Sequence, residues 1–497
     1  MITLFAILTV AIYRYLISLR IPHINRHRND WFGIKAKATF VARCSELLVE
    51  GRKRFGESPF MLTAIFGERL VLPEEWLGWV ASHPDLDHQA HVAEEFFGYL
   101  PGFEAIAAIN DPHAFVISLI KSRMSSMTPS MLKSFREQAD NVLAEEFGDD
   151  ESFHPINWTS ACIKLVSHMS ASIFVGPELA SNAKWQEITL TYTRNMFNAC
   201  VVLRSWPTPL RRFAVWFIPE GKVCRDQIAE ARALVANYLR GNREKLKGTA
   251  FEWMDPRADP TTTQLALAMA SIHTTSQLLN QALLDIAFAA QDQNHIVSQL
   301  REELQGCLES AHGEIGPATL PKLGLLEACI KETQRLKPQT AVNLERMALR
   351  SVVLPNGMRI AAGSMVCVNA TKMWRQDIWG DDSESWNPSR WAARDSESLA
   401  TGTKTNTPLL PAGDKLVNSS ARHFAFGKGR AICPGRFMVN AELKIALGAI
   451  LDGWDCRLSE SDFATAKATG RNRVDWVPYG FETLVNENVV VEVRRRK

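Results

Sequence analysis

Between Thr261 and His295 the chain reads "TTTQLALAMASIHTTSQLLNQALLDIAFAAQDQNH", with no glycine or proline. The stretch predicts a helix of about thirty residues, far longer than average. Its apolar character on nearly every face places it in the middle of a large fold. A second apolar run, "GRFMVNAELKIALGAILDGW" after Pro434, predicts a helix that opens on that proline. Strand signals are short, as in "SVVLPNGMRIAAGSMVCVNA", where Asn356-Gly357 marks a hairpin. The stretch from Ser396 to Ser420 is rich in Ser, Thr, Gly and Pro and reads as a loop insertion. No internal repeat and no long linker divides the chain. The pattern predicts a mainly α fold with a small β region, one large domain over 21–497.

The first residues follow a different pattern. "ITLFAILTVAIYRYLISL", Ile2 to Leu19, is an apolar stretch whose one charged residue is Arg14. As a helix it spans about 27 Å, close to the thickness of a bilayer core. Arg20, Arg26 and Arg28 follow, and positive charge favours the cytoplasmic side. The expectation is an anchor helix over 1–20, with residues 2–19 in the membrane and a cytosolic body. Three Asn-x-Ser/Thr sequons, at Asn157, Asn369 and Asn418, then stay unglycosylated. A net charge of +2 gives no electrostatic case for nucleic acid. Nine scattered cysteines without a Cys-x-x-Cys pair argue against a disulfide framework or a zinc site.

One of those cysteines has unusual surroundings. "FAFGKGRAICPGRF", Phe424 to Phe437, sets Cys433 between a glycine-rich turn and a predicted helix start. Partial positive charge and free N–H groups there stabilise a thiolate. A nucleophile, a structural metal or a haem could use it. Three other features accompany the turn. "CIKETQRLKP" puts Glu332 and Arg335 on one helical face, able to pair. "WNPSRW" offers a second arginine, Arg390, and "ASIHTTS" puts small and hydroxyl residues in the middle of the long buried helix.

Together, in this order and spacing, these resemble the cytochrome P-450 family of haem-thiolate monooxygenases, from about residue 30 onward. The resemblance implies that fold, with haem b ligated by Cys433 in the loop formed by Phe426, Gly427, Gly429, Arg430 and Gly435. It implies that Glu332, Arg335 and Arg390 form a structural triad, and that Arg346 pairs with a haem propionate. Thr274 matches the family's hydroxyl for proton delivery to dioxygen, and His273 stands where the family has an acid. Three departures are visible: Ala431 where an arginine or histidine is usual, Trp374 in place of a histidine, and no Trp-x-x-x-Arg between Asp111 and Met131. The "CPGRF" continuation looks like fungal members of secondary metabolism.

The implied activity is oxygenation of an apolar small molecule, a terpenoid first. Electrons come from NADPH through a cytochrome P-450 reductase at the endoplasmic reticulum membrane. Glu94–Ile109, Leu265–Ala270, "QTAVNL" and "WVPYGF" match the family's pocket-lining segments, and Gln339, Thr340, Asn343 and Tyr479 are polar handles among them. Two other readings use the same residues: a haem-thiolate isomerase or dehydratase working without O2, and a haem-binding protein without turnover.

Overall fold

The computed structural model describes residues 21–241, 243–292, 295–311, 313, 315–391 and 414–497. The apolar stretch 2–19 and most of the expected loop insertion lie outside these residues. Among the described residues no helix is long and apolar enough to cross a membrane.

The main helices are α1 (Ile34–Phe55), α2 (Pro129–Phe147), α3 (Trp158–Phe174), α4 (Ala183–Arg204), α5 (Pro219–Leu239), α6 (Pro260–Gln291), α7 (Ile296–Ser310), α8 (Gly324–Leu336) and α9 (Arg436–Gly453). Side-chain caps start several of them. Asn157 accepts from the Ser160 N–H and Asn182 from that of Trp185. The Asp259 carboxylate accepts from the N–H groups of Thr261 and Thr262, and Pro260 occupies the first turn of α6. From there 32 residues run without a break, and Thr261 to Met269 are all buried. This is the all-round apolar helix of the sequence, and α3, α4, α5, α7, α8 and α9 pack about it.

A five-stranded sheet stands at the other side of the fold. Its strands are β1 (Phe60–Ala64), β2 (Gly67–Leu72), β3 (Leu86–Asp87), β4 (Val342–Ala348) and β5 (Met365–Asn369), in the order β1-β2-β5-β4-β3. β2 and β5 pair in parallel, Leu70 opposite Val366, and the remaining pairs are antiparallel. The expected hairpin is present, with Val352 opposite Ile360 across Gly357 at φ 82°. Between Asn343 and Arg346 the β4–β5 register shifts, and Leu344 takes φ 50°. A bulge of this kind re-aims side chains and holds a branched residue in a costly conformation. Asn369, one of the sequon asparagines, is buried and donates to the Leu48 carbonyl, so it has no access to a glycan-transferring enzyme in the folded state.

Candidate functional site

The turn before α9 is held by backbone hydrogen bonds and takes a left-handed backbone at two glycines, one of them crowded as well. The Gly427 N–H donates to the Phe424 carbonyl (2.8 Å), and the Cys433 N–H donates to that of Phe426 (2.9 Å). Gly427 and Gly429 lie at φ 79° and 72°, and a Cβ on Gly429 would sit 2.7 Å from the Ala81 carbonyl oxygen. Only glycine fits there. The helix does not open on Pro434 as expected: Gly435 is the N-cap and α9 begins at Arg436. Its first free N–H groups, those of Gly435 and Arg436, therefore point at the Cys433 sulfur. Burial pushes this thiol up, and those two N–H groups with the Arg436 guanidinium pull it back. Cys200 and Cys456, by contrast, are pushed up to about 12, chiefly by burial. Arg436 is fixed by donating to the carbonyls of Cys433 (2.8 Å) and Val417 (2.9 Å).

The β4 bulge holds the other side of this turn. Asn343 Nδ2 donates to the Ala425 carbonyl (3.2 Å), while its Oδ1 accepts from the Leu344 N–H (2.8 Å). Beyond the bulge Arg346 is only 4% exposed, and no ion pair reaches it among the described residues. Its guanidinium donates to the Glu345 carbonyl, and burial pushes it down to about 10. His88 lies beside it: Nδ1 is 3.2 Å from the same carbonyl oxygen, and burial, then Arg346, lower its pKa. Arg430 also acts on Arg346 and donates to the His83 carbonyl (3.2 Å). His88, Arg346 and Arg430 thus lie within electrostatic reach of one another in turn, His88 to Arg346 and Arg346 to Arg430. His88 was not anticipated from the sequence; its bonding partner lies 257 residues away.

On α6, Ala270 and Thr274 form an exposed step in an otherwise buried stretch. The Thr274 hydroxyl donates to the Ala270 carbonyl (2.7 Å). His273 does not join this step. Its ring is turned toward α4, hydrogen-bonded to the backbone of Leu190 and close to Arg194, and Nε2 is buried without a partner among the described residues. Burial lowers its pKa, which keeps the imidazole neutral. Two of the expected lining segments meet, the Ala341 N–H donating to the Phe481 carbonyl (2.7 Å), and Gln339 reaches α6 by donating to Gln277 (3.1 Å). The expected polar handles are engaged elsewhere. Gln339 bonds to Gln277, Thr340 to the Val342 carbonyl and Asn343 to the cysteine turn, while Tyr479 is 49% exposed at the surface.

On α8, Glu332 and Arg335 are both fully buried, not on a solvated helix surface. Arg335 donates twice to Glu332, at 2.8 Å each, and once to the Met373 carbonyl. Arg390 Nε (2.9 Å), the Trp391 indole N–H (2.9 Å) and the Asn387 N–H (3.2 Å) converge on the same carboxylate. Trp374, where a histidine was expected, donates to the Arg335 carbonyl (3.0 Å) and stacks on Trp476. It braces this cluster.

These residues fit a haem. A thiol held by two N–H groups could ligate the iron, the glycine turn would let backbone approach a flat ring, and a buried arginine with no ion pair among the described residues would suit a propionate. The cytochrome P-450 family model matches residues 125–470. The cytochrome P-450 monooxygenase hepE of Aspergillus oryzae is 30% identical over 460 residues, 88% of this chain and 80% of that one. The monooxygenases adrA of Penicillium rubens and ptmU of Penicillium ochrochloron are each 28% identical, over 88% and 96% of this chain and 86% and 92% of theirs. The match of a glycine-bounded cysteine turn, a buried Glu-Arg-Arg cluster and a family model over most of the chain leads to one conclusion: the chain belongs to the cytochrome P-450 family of haem monooxygenases.

Proposed function

We propose that Cys433 ligates the haem iron and that the enzyme oxygenates a mid-sized, largely apolar metabolite, with electrons from NADPH through a reductase. The observation that carries this reading is the Cys433 turn, in which Gly427, Gly429 and Gly435 leave the backbone bare and two N–H groups face the sulfur. When bound, haem supplies dioxygen activation, which a thiolate ligand favours. Phe426 and Arg430 flank the ligand, and Arg346, with His88 beside it, holds the anionic edge. Thr274 holds a proton at its hydroxyl on the exposed step of α6. Glu332, Arg335 and Arg390 keep the turn in place and take no part in the chemistry.

Apolar recognition is supported by the engagement of Gln339, Thr340 and Asn343 in internal bonds, which leaves hydrocarbon burial to drive binding. A fungal secondary metabolite, a terpenoid first, agrees with relatives that are monooxygenases of Aspergillus and Penicillium. An anchor over residues 2–19 would hold the enzyme at the endoplasmic reticulum membrane beside its reductase. The test is the reduced, carbon-monoxide-bound spectrum. Cys433→Ala loses the thiolate spectrum; its survival in that variant assigns the ligand to another cysteine. Co-expression with a reductase and product analysis on apolar precursors tests the substrate, and turnover of small charged metabolites alone would overturn it.

A further inference from the structure

Gln277 lies three residues beyond Thr274, half-buried, and extends the exposed step of α6 along the same side of the helix. Its amide nitrogen donates to the Thr483 carbonyl (2.7 Å), in the hairpin formed by Val477–Tyr479 and Glu482–Leu484. A carbonyl only accepts, so this contact fixes the amide, nitrogen toward Thr483 and oxygen toward Gln339. Gln339 then turns its own nitrogen to that oxygen (3.1 Å), and its amide oxygen becomes the outer end of the chain of bonds. That oxygen has no partner among the described residues, and Gln339 is only half-buried. The anchor of the chain is firm. Thr483 is fully buried, its N–H donates to the Gln339 carbonyl (3.4 Å), and its hydroxyl donates to the Pro338 carbonyl. Gln281 gives a second donor to the Thr483 carbonyl (3.4 Å).

The next residue, Thr340, has also committed its hydrogen. Its hydroxyl donates to the Val342 carbonyl (2.6 Å), so its oxygen can only accept. The Thr274 hydroxyl is committed in the same way to the Ala270 carbonyl. The internal bonds of Gln339 and Thr340 thus use hydrogens and leave oxygens open. Glu482, opposite Thr340 in the hairpin, adds carboxylate oxygens at the same edge when ionised. The nearest cation along the chain, Lys337, is buried and paired with Asp285.

We infer that Gln339 and Thr340 form an acceptor subsite beside the exposed step of α6, which selects a substrate carrying a hydroxyl on its apolar skeleton over the same skeleton carrying a ketone. The inference rests on the haem-thiolate reading of that step and narrows the substrate class within it. A hydroxyl donates to either oxygen, whereas a ketone only accepts and sets lone pairs against lone pairs. The mismatch removes water from both partners and returns no hydrogen bond, which discriminates more strongly than a change in apolar contact.

Binding titrations on the full-length, haem-loaded protein test this without turnover. The probes are alcohol and ketone pairs on one skeleton: androstanol with androstanone, borneol with camphor, and menthol with menthone. In the wild type the alcohol of at least one pair should shift the haem absorption band with a Kd about tenfold below that of its ketone. Thr340→Val keeps the side chain's shape and should bring that ratio to within about threefold, with the ketone Kd unchanged. Gln339→Met should act in the same direction, and Thr340→Ser should keep the preference. Lost packing alone would weaken alcohol and ketone alike. A panel in which no alcohol outbinds its ketone overturns the subsite, as does a ratio unchanged in both Thr340→Val and Gln339→Met. A preference for ketones also overturns it, assigning the contact to the remaining N–H of Gln339. The reduced carbon-monoxide spectrum of the same samples separates the two levels. An intact thiolate spectrum without the preference refutes the subsite alone, whereas its absence from the wild type refutes the haem-thiolate reading beneath it.

Discussion

Glu332→Ala should remove most of the stability of the domain. The carboxylate accepts two bonds from Arg335 and one each from Arg390, Trp391 and the Asn387 backbone. Arg335 is 0% exposed and keeps, among the described residues, only the Met373 carbonyl and the Trp379 ring face, so its charge is stranded. Breaking one partner of a buried pair costs about 3–5 kcal/mol. The Trp391 indole and the Asn387 N–H each add about 1 kcal/mol as unsatisfied donors. Arg390 contributes less, because it is partly exposed and keeps Asp382 and the Trp379 carbonyl. The sum, about 5–7 kcal/mol, is comparable to the whole stability of many domains. The assay is haem-loaded yield, followed by urea unfolding of whatever folds. Glu332→Gln keeps the shape and an acceptor oxygen, so it should fall between the wild type and the alanine variant. Removing both charges in Glu332→Leu with Arg335→Met should recover part of the loss, because no charge is then stranded. An alanine variant within about 1 kcal/mol of wild type would refute the reasoning, since surface pairs cost no more than that.

Cys433→Ala should keep the fold but lose the thiolate spectrum after reduction with carbon monoxide. Thr274→Ala should bind substrate normally and divert NADPH electrons into hydrogen peroxide, measured as the ratio of peroxide to product. Glu442 gives a stability profile with a definite sign. Its folded pKa, about 8, lies above its ordinary 4.5, so the native state binds the extra proton between those values. Stability should therefore fall as pH rises through that window, by about 3 kcal/mol between about pH 5.5 and pH 8, and Glu442→Gln should abolish that slope in urea titrations. Deleting residues 1–20 should release the protein from membranes with haem binding intact, checked by fractionation and the reduced carbon-monoxide spectrum.

What was legible in the sequence shares one property: it depends on neighbours along the chain. The long helix could be read from the absence of breakers, and the cysteine turn from glycines that only a left-handed backbone or a close approach requires. The Glu332–Arg335 spacing showed a pair but not its burial, which comes from Met373, Trp379 and Trp391 on other segments. His273 shows the limit most clearly. Successive helical residues point about 100° apart, and a helix apolar on every side carries no pattern to say which side faces which neighbour. The sequence therefore could not distinguish a histidine beside Thr274 in space from one beside it only in the chain. Asn343 was read as a substrate handle because its true partner, the Ala425 carbonyl, lies 82 residues away. Distance along the chain also hides the contact between Ser170 and Glu442. Ser170 and Glu442 are 272 residues apart, and each alone reads as an ordinary core helix residue. Only the packing of α3 between α6 and α9 brings Ser170, Ser271 and Glu442 together, since their hydrogen bonds join three helices that the sequence pattern cannot orient toward one another.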